Sequence, residues 1–139
     1  MDEQRPRIAV VDDEVSVRKS LRRLLQAFGF DVATFASGKV FFDSLEIQRP
    51  DCLILDLHMP GMNGLEVQGR LTQAGLRVPV IVITGHDEPE TRARCLAAGA
   101  DDYLCKPFNG DELVTAIERA IVENLDFNSL NEIDGVPIT

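Results

Sequence analysis

The chain has few cysteines and no pattern that would pair them. Cys52, Cys95 and Cys105 are odd in number, show no CxxC spacing and have no histidine cluster nearby. A disulfide framework or a zinc site therefore has little support. We expect the three side chains to be small, reduced residues of the core, because free cysteine is among the most buried residue types.

Long apolar segments and excess positive charge are also lacking. The longest apolar runs, residues 52–55 and 78–83, are far below the roughly 20 residues that span a bilayer, and the N-terminal sequence MDEQRPR contains no apolar signal region. The 14 basic residues are outnumbered by 23 acidic ones, for a net charge of −9, and such a surface repels phosphate backbones and anionic lipids. These features predict a cytoplasmic protein with no membrane segment and no direct nucleic-acid binding by this chain.

What the chain does have is the composition and the periodicity of one α/β domain. Its 139 residues are 45% hydrophobic and 27% charged, which suffices for a single folded core and excludes repeat arrays. Short β-branched runs alternate with longer segments of helical period, as in βαβ units with a parallel sheet. We predict strands over residues 8–12, 31–35, 52–55, 80–83 and 102–105, with 31–35 at an edge because its residues alternate in polarity.

Capping residues predict where the helices begin and end. The first helix has an apolar face that includes Phe28 and stops at Gly29, which we expect to be a left-handed cap. The helix after Ser37 is expected to run to about residue 48, and Gly75 and Gly99 should end the third and fourth helices. The expected N-terminal capping residues of the last four helices are Ser37, Asn63, Asp87 and Asn109.

Four segments end their strands in residues suited to phosphate chemistry. Asp12 and Asp13 follow the first strand, Asp56 the third, Thr84 the fourth and Lys106 the fifth. A parallel sheet gathers such residues at one edge, just beyond the carboxyl ends of its strands. A lone Asp in this position is usually a turn former or a helix cap, so it is the joint placement that indicates a site.

Three carboxylates in one cleft repel one another unless a cation or a proton relieves them. Oxygen ligands without cysteine or a histidine pair select a hard divalent ion, and a partly hydrated Mg²⁺ shared with a phosphate fits best. Lys106 and Thr84 could then neutralise the oxygens of a phosphoryl group in transfer. Asp56 could accept that group as an acyl phosphate.

These residues resemble the receiver domain of two-component response regulators, over roughly residues 7–124. The resemblance rests on VVDDE, on Asp56 within LILDLHMPGMNG, on Thr84 within VIVITG and on Lys106 within YLCKPF, in the expected order. It implies a flavodoxin-like, doubly wound parallel sheet of order 2-1-3-4-5 with helices on both faces. It also implies that Asp56 accepts phosphate from a sensor histidine kinase or a phosphotransfer protein.

The same resemblance assigns roles to further residues. Asp12, Asp13, Asp56 and the main-chain carbonyl of His58 would hold Mg²⁺, while Thr84 and Lys106 would stabilise the phosphoryl group. The Lys106–Pro107 peptide bond would be cis, a form that is accessible to X–Pro bonds. Tyr103 would be the switch aromatic, with a ring that turns inward when Thr84 moves toward the phosphoryl group.

Two histidines depart from the usual residues of the family. His58 lies two residues after the phosphoacceptor and His86 two residues after Thr84, so both should flank the mouth of the site. One hypothesis is that they tune the lifetime of the aspartyl phosphate by ordering or blocking the attacking water. The alternative is that both are solvated loop residues without effect.

The resemblance also suggests an output surface and a domain boundary. The fourth helix, fifth strand and fifth helix, residues 87–124, would form the switching face and control homodimerisation or a partner. Residues 1–124 would be the receiver domain, and residues 125–139 a C-terminal tail or the start of an interdomain linker. The tail is too short for a helix-turn-helix module, so the chain is either a stand-alone regulator or the receiver part of a transcriptional regulator.

Two rival functions have weaker sequence support. An Mg²⁺-dependent phosphatase with an aspartyl nucleophile would resemble a DxDxT motif, but Asp56 is followed by LHMP, without an acid two residues on. A flavin or nucleotide binder of the same architecture would need a glycine-rich loop after the first strand, and neither GxGxxG nor GxxxxGK[ST] is present there. We therefore expect a phosphoacceptor and not a multiple-turnover enzyme.

Overall fold

Five parallel strands form one sheet at the centre of the molecule. The computed structural model describes residues 5–133 of the chain. The strands are β1 (Arg7–Val11), β2 (Asp31–Phe35), β3 (Cys52–Asp56), β4 (Val80–Thr84) and β5 (Asp102–Cys105). They are arranged in the order β2-β1-β3-β4-β5, and every neighbouring pair is parallel. The predicted fold class, strand order and edge position of residues 31–35 are confirmed.

The helices cover both faces of the sheet. They are α1 (Val15–Ala27), α2 (Gly38–Ser44), α3 (Gly64–Gln73), α4 (Pro89–Ala97) and α5 (Gly110–Ile133). Successive strand residues point to opposite faces, so that Ile54 contributes to the core beneath α1 and α5, whereas Leu53 and Leu55 contribute to the core beneath α2, α3 and α4. Because β3 and β4 are buried on both sides, their sequences are almost entirely apolar.

Most of the predicted helix ends are confirmed. Asn63 and Glu66 form a reciprocal capping box at the start of α3, and Asn109 and Glu112 exchange the same pair of hydrogen bonds at the start of α5. The hydroxyl of Ser37 accepts a hydrogen bond from the N–H of Val40. Gly29, Gly75 and Gly99 all have positive φ, which is the left-handed conformation expected of residues that stop a helix.

Two helix boundaries differ from the prediction. α2 ends at Ser44 and not near residue 48, because the Ser44 hydroxyl donates to the carbonyl of Phe41 and the N–H groups of residues 45 and 47 donate to carbonyls three residues earlier, as in a tighter turn. α4 begins at Pro89 after Glu88, and Asp87 does not cap it. Proline favours the first helical position, since its fixed φ suits the helix and it lacks an N–H that would be unpaired there.

The exposure of two apolar or weakly polar residues corrects the sequence analysis. Phe28 is 47% exposed and does not complete the buried face of α1. Cys52 and Cys95 are buried as expected, but Cys105, the last residue of the edge strand β5, is exposed. The three thiols are free.

α5 continues past the predicted domain boundary at residue 124 and reaches Ile133. The first part of the predicted tail is therefore helical, while its last six residues lie outside the described part of the chain. Across residues 5–133, we find no helix that combines the length and the apolar character required to cross a membrane.

Candidate functional site

The carboxyl ends of β1 and β3 bring three aspartates together. Asp12 follows β1, and Asp56 is the last residue of β3, the neighbouring strand. One carboxylate oxygen from each of Asp12, Asp13 and Asp56 lies within 4.8 Å of the others. Asp12 and Asp56 are buried, whereas Asp13 is exposed. We refer to these three residues as the acidic cluster.

Burial and crowding make a negative charge on Asp56 unfavourable. They raise the pKa of the Asp56 carboxyl from 3.8 to about 7, first through desolvation and then through the charge of Asp12. Asp13 raises this pKa further, while the positive charge of Lys106 lowers it. The acidic cluster is thus a hard-oxygen donor set with excess negative charge, and both properties fit a small divalent cation such as Mg²⁺.

Lys106 reaches the acidic cluster from the end of β5. Its Nζ lies 3.4 Å from Oδ2 of Asp12, and its main-chain N–H donates to the carbonyl of Thr84 over 2.7 Å. The Lys106–Pro107 peptide bond is cis, as the resemblance implied. The ammonium group therefore pairs with the carboxylate that follows β1, and two strands, β3 and β4, lie between β1 and β5.

Thr84 ends β4 and is fully buried. Its Oγ1 accepts a hydrogen bond from the main-chain N–H of His86 over 3.1 Å and donates to the carbonyl of His86 over 3.2 Å. The hydroxyl is consequently bound to its own loop, and a phosphoryl oxygen would compete with the His86 carbonyl for its hydrogen.

The two histidines lie side by side in exposed loops. The rings of His58 and His86 have centres 6.1 Å apart and meet edge to face. His58 follows Asp56 by two residues, and His86 is the residue whose main chain holds Thr84. The two rings therefore connect the loop that follows β3 with the loop that follows β4.

Tyr103, the expected switch aromatic, has its ring inside the protein. The residue is 3% exposed, and its hydroxyl has no hydrogen-bond partner among residues 5–133. Burial raises the pKa of this hydroxyl. The guanidinium carbon of Arg92, on α4, lies 5.6 Å from the ring centre, a cation–π distance.

Comparison with known proteins identifies the family. The profile described as "Response regulator receiver domain" matches residues 8–118. The chain belongs to the response regulator receiver domain family. A response regulator receiver protein from Burkholderia phymatum has 48% sequence identity and a TM-score of 0.75, over 84% of this chain and 95% of that one.

Curated relatives of this receiver domain are longer proteins. Response regulator MprA of Mycobacterium avium is 45% identical over 116 residues, which are 84% of this chain and 50% of that protein. Response regulator protein TodT of Pseudomonas putida is 38% identical over 114 residues, 82% of this chain and 50% of that protein. The chain thus spans about half the length of these relatives.

The receiver domain also contains supporting contacts that the sequence analysis missed. Arg18 Nη1 donates to the main-chain carbonyl of Asp12 over 2.7 Å, and the N–H of Glu14 donates to Oδ1 of Asp12 over 2.9 Å. A Cβ on Gly64 would lie 3.0 Å from the carbonyl oxygen of Asp56, so the start of α3 can press against the end of β3 only without a side chain. Gly64, the second glycine of MPGMNG, is the sequence feature that could have indicated this contact. No feature of the sequence indicated the contact between Arg18 and Asp12.

Proposed function

We propose that Asp56 of this receiver domain accepts a phosphoryl group from a sensor histidine kinase or a phosphotransfer protein. The observation that carries the proposal is the acidic cluster itself, three carboxylates within 4.8 Å of one another with the Lys106 ammonium beside them. Structural aspartates are usually paired with donors. A crowded group with one carboxyl of raised pKa is instead typical of a reactive site.

The transfer requires only a positioned nucleophile and charge stabilisation. An oxygen of Asp56 bonds to phosphorus as the phosphorus–nitrogen bond of the donor phosphohistidine breaks, and the donor imidazole keeps the electron pair. The ammonium of Lys106 and the hydroxyl of Thr84 stabilise the oxygens of the group in transfer. Slow hydrolysis of the aspartyl phosphate then restores the carboxylate, so the domain works as a timed phosphoacceptor.

Asp12, Asp13, Asp56 and the main-chain carbonyl of His58 would hold Mg²⁺. When bound, the ion supplies positive charge opposite the phosphoryl oxygens and the three carboxylates. The fit rests on the donor set, since all four ligands are hard oxygens. Lys106 lies beside Asp12 and adds a second positive charge to the same group of oxygens.

The output surface would be the face formed by α4, β5 and α5. Thr84 and Tyr103 would change position on phosphorylation and shift an existing equilibrium of that face, because a phosphoryl group that binds one arrangement better favours it. The expected result is homodimerisation or docking of a partner. In a longer protein this domain, residues 1–124, would regulate transcription from the cytoplasm, with residues 125–139 leading toward the effector and no direct nucleic-acid contact of its own.

Treatment with acetyl phosphate and Mg²⁺ tests the proposal. The chain should gain the mass of one phosphoryl group, and the gain should require Mg²⁺ and disappear in Asp56→Asn. Asp51→Asn is the matched control, because Asp51 lies at the opposite edge of the sheet and accepts a hydrogen bond from the N–H of Arg7. Labelling of Asp56→Asn, or release of many phosphates per chain as in a phosphatase, would contradict the proposal.

His58 and His86 are proposed to set the lifetime of the aspartyl phosphate. Their rings stand 6.1 Å apart on the loops beside the site, where they can order or exclude the attacking water. Replacing each by Ala, alone and together, should change the rate at which labelled protein loses its phosphate. Unchanged decay in all three variants would show that the histidines are ordinary loop residues.

A further inference from the structure

Arg92 lies against the single tyrosine of the chain. Its guanidinium carbon is 5.6 Å from the centre of the Tyr103 ring, a separation at which a guanidinium is attracted to the face of an aromatic ring. Arg92 is an exposed residue of α4, whereas Tyr103 belongs to β5 and is almost wholly buried. The contact therefore connects α4 with β5 at the surface of the domain.

In the described part of the chain, the Arg92 guanidinium has no competing partner. Within residues 5–133 it forms no salt bridge and no side-chain hydrogen bond. A guanidinium is more weakly hydrated than an ammonium and stacks readily on aromatic faces. The Tyr103 ring is thus the group that orients this side chain.

The inward position of the Tyr103 ring has an energetic disadvantage. The ring belongs to the apolar cluster that contains Val82 and Cys95, and its hydroxyl has no hydrogen-bond partner among residues 5–133. A buried hydroxyl without a partner is unfavourable. The cation–π contact with Arg92 offsets part of that cost.

Thr84 and Tyr103 do not occupy matching positions. The Thr84 hydroxyl donates to the carbonyl of His86 and is bound to its own loop, while the Tyr103 ring is inside the protein. The resemblance implied that this ring turns inward when Thr84 moves toward the phosphoryl group. An inward ring beside a loop-bound Thr84 indicates that another contact holds the ring in place.

We propose that Arg92 is a positioning residue, which holds the Tyr103 ring inward and so favours the arrangement that a phosphoryl group on Asp56 selects. The inference rests on the proposed function, in which the position of this ring is coupled to phosphorylation. A contact that favours one arrangement strengthens every ligand that prefers the same arrangement. Arg92 therefore increases the affinity of the site for a phosphoryl group without contacting that group.

Beryllofluoride, a mimic of the phosphoryl group, measures this coupling in the full 139-residue chain with Mg²⁺. Fluorine NMR of the bound mimic should show that Arg92→Gln weakens its affinity about two- to fivefold, the effect expected of an exposed cation–π contact. Arg92→Lys keeps a cation near the ring and should lose less. Arg94→Gln removes the same charge from another exposed position of α4 and should bind as the unaltered chain does.

Two ring variants test whether the effect of Arg92 passes through Tyr103. In Tyr103→Phe, which keeps the ring, Arg92→Gln should weaken beryllofluoride by the same factor. In Tyr103→Leu, which removes the ring, Arg92→Gln should have no effect.

Tyrosine fluorescence provides an independent measurement of the ring position. Tyr103 is the single tyrosine and the chain has no tryptophan, so the emission reports on this ring. Acrylamide should quench the emission more strongly in Arg92→Gln than in the unaltered chain or in Arg94→Gln.

The outcomes separate this inference from the proposed function. If the unaltered chain showed no Mg²⁺-dependent binding of beryllofluoride, both would be overturned. An unchanged affinity or unchanged quenching in Arg92→Gln, an equal loss in Arg94→Gln, or an undiminished effect of Arg92→Gln in Tyr103→Leu would overturn the role of Arg92 alone.

Discussion

The two edges of the sheet use the same residue type in opposite ways. At the amino edge, Asp51 and Asp101 accept hydrogen bonds from the N–H groups of Arg7 and Val80, both over 2.8 Å. At the carboxyl edge, the three aspartates of the acidic cluster lie within 4.8 Å of one another. Asp12 also accepts a main-chain hydrogen bond, from the N–H of Glu14, so the crowding of carboxylates, and not the lack of a backbone donor, distinguishes the acidic cluster from the amino-edge aspartates.

The contrast between the two edges predicts its largest effect at Asp56, where removal of the negative charge should increase the free energy of unfolding. The folded-state pKa is raised from 3.8 to about 7, so between these pH values the folded chain holds a proton that the unfolded chain has released. The contribution of this carboxyl to the free energy of unfolding is then most favourable below about pH 4 and falls as the pH rises to 7. Asp56→Asn should remove this loss and increase the free energy of unfolding by about 2–4 kcal/mol at pH 8 without Mg²⁺.

Urea denaturation at pH 4 and pH 8 measures this effect. The gain from Asp56→Asn should be near zero at pH 4 and should shrink at pH 8 when Mg²⁺ is added to the wild-type chain. Asp51→Asn is the control at the other edge and should not stabilise the protein at either pH. If the difference in free energy of unfolding between Asp56→Asn and the wild-type chain did not increase from pH 4 to pH 7, the assigned pKa would be contradicted.

A loss of opposite sign is expected from Asp101→Ala. The substitution leaves the N–H of Val80, the first residue of β4, without its side-chain acceptor, which should cost about 1–2 kcal/mol. The free energy of unfolding from urea titration measures the loss. Glu118→Ala, at an exposed position of α5, should change it by less than about 0.5 kcal/mol. Equal losses in the two variants would mean that the amino-edge aspartates are not structural.

Asp13→Asn should weaken Mg²⁺ binding with little change in folding. Asp13 is the exposed member of the acidic cluster, so its removal takes away a ligand and leaves no buried group unpaired. We expect the Mg²⁺ affinity to fall by at least about tenfold, measured by calorimetric titration. Asp51→Asn should keep the wild-type affinity, and a similar fall in that variant would place the ion elsewhere.

The smallest effect is expected from Asp31→Asn at the amino edge. Its carboxylate pairs with Nη1 of Arg7 over 2.9 Å, with the two side chains 55% and 30% exposed. Exposed pairs of this kind contribute about 0–1 kcal/mol and weaken with salt. Thermal melts at low and high ionic strength should therefore differ little between Asp31→Asn and wild type. A loss as large as that of Asp101→Ala would show that charge pairing stabilises this edge too.

Periodicity was enough to predict an α/β fold with a parallel sheet and to bring the site residues to one edge, whereas the strand order was implied by the resemblance to the receiver family. Strand bounds agree within one residue at each end, for example Arg7–Val11 for β1 against the predicted 8–12. The capping boxes that begin α3 and α5 are local patterns, so a single segment of sequence contains all their partners. Parallel pairing then fixes where Asp12 and Asp56 must meet.

The features that sequence could not predict depend on contacts between distant segments. Lys106 pairs with Asp12, 94 residues earlier, and Gln68 donates to a carbonyl 27 residues later. The early end of α2 depends on a serine hydroxyl that competes for a helix carbonyl, which composition does not reveal. Cys105 is exposed at the end of the edge strand β5, and the edge position of that strand depends on strand order.

The hydrogen bond from Thr84 to His86 ties the Thr84 hydroxyl to the loop after β4. A hydroxyl group has a single hydrogen, and that of Thr84 is given to the His86 carbonyl. An arriving oxygen that takes this hydrogen must set the carbonyl free in the same step. Binding of the incoming oxygen and release of the His86 carbonyl are then a single exchange of hydrogen-bond acceptors.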